Sequence, residues 1–192
     1  MVPATDARSA LRAALESDPT PRPRPQDRLA AVLAPLVERP EPALVFTRRA
    51  ADLSRHAGEV SFPGGLQDPG ESLVQTALRE CREEIDLDPA VVEVVGALPA
   101  VPVRVSSIVV VPFVGMLASA PALTHSLGEI AEVLTFPVRR IAEVESTMEL
   151  ARDDGRIWTG WAYELDGTLI WGATGLMVHD LVEVLRKETS WL

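Results

Sequence analysis

The sequence predicts an α+β fold with a mixed β-sheet, and two observations support this class. Segments rich in valine and isoleucine outnumber helix-like segments, and they do not alternate regularly with helices as in a parallel α/β protein. The 192 residues contain no internal repeat and no second apolar core, which indicates one compact domain. We expect helices at the start of the chain, in its middle and at its end.

The N-terminal region is predicted to be a helix followed by an extended connector. Residues 6–17 suit a short surface helix, and residues 18–26 (DPTPRPRPQ) are rich in proline. We therefore divide the chain into an N-terminal helix and connector, 1–28, and a main domain, 29–192.

The main domain reads as strands around one central helix and one C-terminal helix. The predicted strands are 29–37, 43–49, 58–62, 91–98, 106–117, 131–138, 147–154, 157–165 and 167–172. A turn at 38–42 (ERPEP) joins the first two strands. Residues 172–188 form the closing amphipathic helix.

Composition limits the compartment and the partners. The formal net charge of −10 argues against binding nucleic acid, which requires a basic surface. No apolar run approaches the roughly 20 residues of a membrane helix, and the N-terminus lacks the apolar core of a secretory signal. Cys81 is the single cysteine, so an internal disulfide is excluded. We expect a cytoplasmic protein with no membrane or nucleic-acid partner.

The central helix is predicted to run from Pro69 to Ile85. Asp68 can cap it, Pro69 fits the first helical position, and Glu71 can complete a capping box. The apolar stripe consists of Val74, Ala77, Leu78, Cys81 and Ile85, with Leu73 at its edge. Cys81 is therefore interpreted as a small buried hydrophobic residue.

Three carboxylates lie close together on this helix. Glu80, Glu83 and Glu84 are three and four residues apart, and Glu84 falls inside the apolar stripe. Arg79 and Arg82 are expected to point elsewhere and not to neutralise the cluster. A salt-bridged acidic surface explains Glu83 but not Glu84, because a half-buried carboxylate repelled by its neighbours is costly.

A hard divalent cation resolves this conflict. Mg²⁺ prefers oxygen ligands and bridges carboxylates to substrate phosphates. Gly64 and Gly65 precede the helix, so their backbone can approach the ion or a phosphate closely. The cation would also offset the repulsion between an acidic protein and an anionic substrate.

The stretch from Gly65 to Leu87 resembles the Nudix box, G-x5-E-x7-R-E-U-x-E-E-x-G-U, where U is a bulky aliphatic residue. The matching glycine, arginine and glutamates are Gly65, Glu71, Arg79, Glu80, Glu83 and Glu84. Cys81 replaces an aliphatic residue, and Asp86 replaces the last glycine. Since aspartate tolerates the left-handed conformation better than most residues, we expect an altered helix exit and an intact site.

A further segment resembles the coenzyme A pyrophosphatase branch of the Nudix hydrolases. The branch pattern is L-L-T-x-R-S-x-x-L-x-x-H-x-G-Q-V-x-F-P-G-G-x-x-D. The matching residues are Thr47, Arg49, Leu53, His56, Gly58, Val60, Phe62, Pro63, Gly64, Gly65 and Asp68. Glu59 replaces the usual glutamine and Ala50 the usual serine. Residues 128–138 and 169–185 are similar to later segments, so the resemblance covers about 30–185.

The resemblance implies an α/β/α sandwich with a mixed sheet, and hydrolysis of a nucleoside diphosphate linked to another group. In this branch, coenzyme A gives 3′,5′-ADP and 4′-phosphopantetheine. Glu80, Glu83 and Glu84 would hold Mg²⁺ or Mn²⁺, with a carbonyl of Gly64 or Gly65 as a further ligand.

The resemblance also implies roles for residues around the cation. Arg79 would orient a glutamate of the box, and Glu71 would pair with Arg79. Either Glu80 or Glu129 would be the general base. Arg49 and His56 are assigned to substrate phosphate, since arginine matches phosphate oxygens.

Two alternatives stay open for the function. The enzyme could cleave ADP-ribose, NADH, dinucleoside polyphosphates or non-standard nucleoside triphosphates. Alternatively, the chain could be a nucleotide-binding Nudix module without catalysis. The expected partner is a small coenzyme A-like nucleotide. A homodimer through the tryptophan-bearing strands and the terminal helix is a further hypothesis, although core packing explains those residues equally well.

Overall fold

The fold is built around two long strands that lie side by side in the middle of a mixed sheet. In the computed structural model, which describes residues 4–50, 58–103, 107–126, 128–151 and 157–192, β1 (Arg28–Val37) runs parallel to β7 (Ile108–Leu117) along its whole length. Both strands are almost entirely buried, which explains why they read as continuous apolar runs.

The other elements complete this sheet, add a second sheet and cover both. They are α1 (Ala4–Ala14), β2 (Ala43–Arg49), β3 (Val60–Ser61), β4 (Gly64–Leu66), α2 (Leu73–Ile85), a 3₁₀ turn (Pro89–Val91), β5 (Glu93–Ala97), β6 (Val101–Val103), β8 (Ile130–Pro137), α3 (Val138–Glu143), β9 (Glu145–Ala151), β10 (Ile157–Leu165), β11 (Thr168–Ile170) and α4 (Gly172–Glu188).

The main sheet has the order β3-β2-β1-β7-β5, with β8 added to β2, β4 to β1 and β6 to β7. Apart from the β1–β7 pair, these pairings are antiparallel. Strands β9, β10 and β11 form a separate antiparallel sheet. The mixed sheet predicted from the sequence is therefore confirmed.

Side chains of β1 alternate between two apolar clusters on opposite faces of the sheet. Ala31 and Leu33 pack with Ala77, Cys81 and Ile85 of α2 on one face. On the other face Val32, Ala34 and Leu36 pack with residues of α1, α4, β10 and β11, among them Leu11, Tyr163, Ile170, Val178 and Leu181. This alternation follows from the two-residue period of a strand and gives the predicted α/β/α layers.

The N-terminal helix α1 lies against α4 and β5. Leu11 and Leu15 are buried in the same cluster as α4. Glu16 continues this contact through a backbone bridge to Ala97. The helix begins at Ala4, before the predicted start at 6, and ends at Ala14, before the predicted end at 17.

The predicted start of α2 at Pro69 is wrong. The backbone N–H of Glu71 donates to Asp68 O at 3.1 Å, and Gly70 has φ 88°, so residues 68–71 form a turn. The helix begins at Leu73 with Ser72 as its N-cap, and Ser72 and Gln75 form the capping box. The dipeptide Pro-Gly favours a turn at this point over a first helical turn.

Several short elements were not predicted, namely β4, β6, α3 and the 3₁₀ turn. The ends of two predicted strands, at 106 and at 152–154, lie outside the described residues. Among the helices that the described residues form, none is long and apolar enough to cross a membrane.

Candidate active site

Two glycines bring β4 against both β1 and α2. A β-carbon on Gly64 would lie 2.3 Å from Ala31 O and 2.5 Å from Val32 Cα, which are backbone atoms of β1. A β-carbon on Gly65 would lie 2.4 Å from Oε1 of Glu80. At Gly64 only glycine allows this approach, because the neighbouring atoms are backbone. A β-carbon at position 65 would displace the flexible end of Glu80, so the Glu80 carboxylate lies directly against the β4 backbone.

Glu84 is the buried member of the acidic cluster. Its side chain lies on the sheet-facing side of α2, the residue is only 5% exposed, and its Oε2 accepts the backbone N–H of Gly64 at 3.2 Å. Burial raises the pKa of Glu84 to about 7, and the negative charges of Glu80 and Glu129 act in the same direction. The Gly64 N–H and the charge of Arg49 lower this pKa and only partly offset the burial.

Glu80 and Glu83 share one arginine, which corrects the expectation that Arg79 points away. Nη1 of Arg79 donates to Glu80 Oε1 at 2.9 Å and to Glu83 Oε2 at 2.8 Å. The Glu80 side chain is 18% exposed and that of Glu83 is 57% exposed. Burial raises the pKa of Glu80, whereas its contact with Arg79 acts to lower it.

Glu71 holds the other side of the same guanidinium, so the pair predicted between Glu71 and Arg79 is present. Nε of Arg79 donates to Glu71 Oε1 at 2.8 Å, and Nη2 donates to Glu71 Oε2 at 3.2 Å. This two-point contact is the geometry in which arginine and carboxylate bind most strongly. It lowers the pKa of Glu71 to about 2, with further help from Thr76 and the Asp68 N–H.

Arg49 and Glu129 come from two other segments and approach the same cluster. The end of β2 is joined to the start of β8 by a hydrogen bond from Ala50 N to Glu129 O at 2.9 Å. The charge of Arg49 lowers the pKa of Glu84, and the charge of Glu129 raises it. The buried Nε of Arg49 makes no hydrogen bond to the described residues. His56 lies outside the described residues.

The donor set fits a hard divalent cation. Glu80, Glu83 and Glu84 offer only oxygen ligands, and the charge around the buried Glu84 is not balanced by Arg49. In the part of the chain that the structure describes, no three acidic, histidine or cysteine side chains converge as a preformed cage. Instead, Glu80 and Glu83 both pair with Arg79. A bound cation would have to share these two carboxylates with the guanidinium of Arg79.

A cleft of about 260 Å³ lies at the opposite end of α2. It is bordered by the helix start at Ser72–Val74, by β5 and by the segment Ser17–Pro19. Glu80, Glu83 and Glu84 are not among its lining residues. We therefore assign the candidate site to the acidic cluster of α2 and not to this cleft.

One residue at the site was missed from the sequence. Thr76 is fully buried on α2, and its hydroxyl lies 2.9 Å from Oε2 of Glu71. The sequence signal for Thr76 was its position as a polar residue next to Ala77, which lies in the apolar stripe.

Comparison with known proteins places the chain in a family. Residues 27–155 match the family model described as the NUDIX domain. A protein of Pectobacterium atrosepticum named "Uncharacterized Nudix hydrolase NudL" is 36% identical over 172 residues, covering 87% of this chain and 88% of the relative. A protein of Cronobacter sakazakii with the same name is 37% identical over 159 residues, covering 80% and 81%.

Solved structures share the fold. A MutT/nudix family protein from Enterococcus faecalis matches with a TM-score of 0.55 at 13% identity, covering 97% of this chain and 74% of that chain. The NUDIX domain of Shewanella oneidensis NrtR, solved with ADP ribose, matches with a TM-score of 0.50 at 20% identity, covering 61% and 77%. The chain therefore belongs to the Nudix hydrolase family and is a Nudix pyrophosphohydrolase.

Proposed function

We propose that this enzyme hydrolyses the diphosphate of coenzyme A or acyl-coenzyme A, giving 3′,5′-ADP and (acyl-)4′-phosphopantetheine. The observation that carries the reaction class is the arrangement of Glu80 and Glu84 on the Gly64-Gly65 backbone. The choice of coenzyme A rests on the resemblance of residues 44–68 to the coenzyme A pyrophosphatase branch.

Glu80, Glu83 and Glu84, with the Gly65 carbonyl, are the proposed ligands of Mg²⁺ or Mn²⁺. When bound, such an ion would neutralise charge on the diphosphate oxygens and make a nearby water more acidic. Arg79, fixed by Glu71, keeps Glu80 and Glu83 close together, because its Nη1 contacts both carboxylates.

Substrate binding is assigned to Arg49 and His56. The backbone of Gly64 and Gly65 would allow the substrate to approach closely. Arg49 is half-buried, and the planar guanidinium of arginine matches phosphate oxygens. In the reaction the oxygen of water bonds to phosphorus, the bridging phosphorus–oxygen bond breaks, and a general base takes the proton of the water.

Glu80 and Glu129 are the two candidates for the base. Glu80 is partly buried and held by Arg79, whereas Glu129 is exposed and its charge reaches Glu80. We expect kcat to fall at least ~100-fold in either Glu80→Gln or Glu129→Gln. Glu132→Gln is the matched control, because Glu132 is an exposed carboxylate near Glu129 that pairs with Arg48. A smaller loss in both variants would reject the base role for both residues.

A substrate panel tests the proposal as a whole. Coenzyme A, acetyl-coenzyme A, ADP-ribose, NADH, a dinucleoside polyphosphate and a non-standard nucleoside triphosphate are each incubated with and without Mg²⁺ and Mn²⁺, and the products are identified by mass. Metal-dependent formation of 3′,5′-ADP from coenzyme A is the expected result. Turnover of ADP-ribose or NADH well above that of coenzyme A would reject the substrate.

ADP-ribose is the second candidate, because the related NUDIX domain of Shewanella oneidensis NrtR was solved with it. The third alternative, a nucleotide-binding module without catalysis, does not fit a Nudix pyrophosphohydrolase that keeps the complete set of box glutamates.

A further inference from the structure

The buried hydroxyl of Thr76 in α2 contacts Glu71, which belongs to the charged network of the site. Thr76 is fully buried, and its Oγ1 lies 2.9 Å from Glu71 Oε2 and 3.3 Å from the backbone oxygen of Ser72. A threonine hydroxyl has one proton to donate, and the shorter contact is to the carboxylate. A hydrogen bond to a charged acceptor is also the stronger of the two.

This hydroxyl makes the shortest contact to one oxygen of Glu71. Oε2 also accepts from Arg79 Nη2 at 3.2 Å and from the backbone N–H of Asp68 at 3.3 Å. Oε1 accepts from Arg79 Nε at 2.8 Å. The Thr76 hydroxyl therefore helps to hold the second oxygen, and with it the plane of the carboxylate.

The plane of the Glu71 carboxylate fixes the direction of the Arg79 guanidinium, because the two groups meet at two points. The remaining nitrogen of the guanidinium, Nη1, lies between the carboxylates of Glu80 and Glu83. A chain of contacts thus runs from a buried hydroxyl to two proposed metal ligands.

We propose that Thr76 is a positioning residue whose hydroxyl orients Glu71, so that Arg79 holds Glu80 and Glu83 at the spacing that the divalent cation requires. This inference rests on the proposed function, since it takes those two glutamates as ligands. Thr76 acts through Glu71 and Arg79 and contacts no reacting group.

Two substitutions separate the hydroxyl from the packing. Thr76→Val keeps the branched shape but removes the donor, which leaves Oε2 of Glu71 with its two longer contacts. Thr76→Ser keeps the donor but removes a buried methyl group, which lowers stability. We expect Thr76→Val to lower kcat and Mn²⁺ affinity about tenfold, as is usual for residues that orient metal ligands. Thr76→Ser should have wild-type kcat and a lower Tm.

The position of Arg79 can be observed directly by NMR. The Nε–H signal of Arg79 is assigned in the protein without added metal by its loss in Arg79→Lys. We expect this signal to shift and broaden in Thr76→Val and to keep its position in Thr76→Ser. Mn²⁺ affinity is measured separately by titration without substrate.

The outcomes are distinct. An unchanged Arg79 signal in Thr76→Val, or unchanged kcat and Mn²⁺ affinity in that variant, would overturn the proposal. Equal losses in both variants that follow their Tm would also overturn it and assign Thr76 to packing alone. If the wild-type protein hydrolysed nothing in the panel, the proposed function would fail, while the Arg79 signal would still decide the role of Thr76.

Discussion

Glu84 is the residue at which burial and charge conflict most directly. Its carboxylate is buried beside Glu80, and a single backbone N–H at 3.2 Å is its direct hydrogen-bond donor in the described residues. Charge repulsion adds to the desolvation cost, so the ionised form of Glu84 destabilises the protein until a cation balances it.

The pKa of Glu84 predicts how stability depends on pH after treatment with a chelator. The pKa is raised from 4.5 to about 7, so between these values the folded state binds more protons than the unfolded state. The free energy of unfolding should therefore fall by about 1–3 kcal/mol as pH rises from 4.5 to 7. Glu71 has the opposite shift, and its contribution is lost only as pH falls from 4.5 towards 2.

Denaturant unfolding of the wild-type protein and of Glu84→Gln, at several pH values in this window, measures the effect. The variant should lose most of the slope. Glu83→Gln is the control, because it removes a charge from the same helix at a side chain that is 57% exposed. Parallel slopes in wild type and Glu84→Gln would contradict the assignment. Adding Mg²⁺ at pH 7 should restore stability to the wild-type protein.

At the scale of the element, α2 ends in the left-handed conformation that the last glycine of the Nudix box would adopt, although Asp86 occupies that position. Asp86 has φ 54° and ψ 32°, and its backbone N–H donates to Arg82 O. The helix therefore keeps the left-handed exit with aspartate in place of glycine, and the altered exit expected from the sequence is not found. An L-residue in this region carries a backbone cost that glycine does not.

Asp86→Gly should therefore raise the free energy of unfolding by about 0.5–1 kcal/mol. Asp88→Gly is the matched control two residues later. Asp88 has φ −65°, and its side chain accepts the N–H of Ala90 at 3.0 Å, so glycine there should lower the free energy of unfolding by about 0.3 kcal/mol. Opposite signs in chemical denaturation are the expected result. A loss of stability in both variants would mean that the Asp86 side chain stabilises the exit more than its backbone strains it.

At the scale of the whole molecule, the sequence was most informative where burial is complete. The strands 29–37, 43–49 and 106–117 were predicted because apolar runs in a buried sheet leave a strong local pattern. Strands β4 and β6 have three residues each and are too short to show a period. Their existence depends on pairing with β1 and β7, which are distant in sequence.

The site was predicted by residue identity more than by geometry. The helical wheel placed the glutamates of α2 on neighbouring positions, and the buried position of Glu84 agrees with it. It failed for Arg79, because a wheel gives the direction of the β-carbon and not the reach of a long side chain. Glu71, in the loop before α2, draws the guanidinium back across the acidic face. Such a contact depends on how the loop folds, which local patterns do not encode.

The helix α1 makes both ion pairs and buried apolar contacts with the rest of the protein. Arg8 pairs with Glu38 and Glu93, and Arg12 pairs with Glu93 at 2.8 Å. Leu11 is fully buried in the cluster shared with α4. The exposed Arg12–Glu93 pair contributes little, whereas a buried leucine loses both its burial and its contacts on truncation, so Leu11 should anchor this helix more than Arg12 does.

Leu11→Ala should therefore lower the free energy of unfolding by about 2–4 kcal/mol, and Arg12→Ala by less than about 1 kcal/mol. Denaturant unfolding at low and at high salt distinguishes the two contributions, because salt screens the pairing of the half-exposed Arg12 and leaves the burial of Leu11 unaffected. If Arg12→Ala cost as much as Leu11→Ala, and only at low salt, α1 would be held by charge. It would then be expected to detach at high ionic strength. A dominant, salt-independent loss in Leu11→Ala would instead make the N-terminal helix part of the same cooperative core that supports β5 and α4.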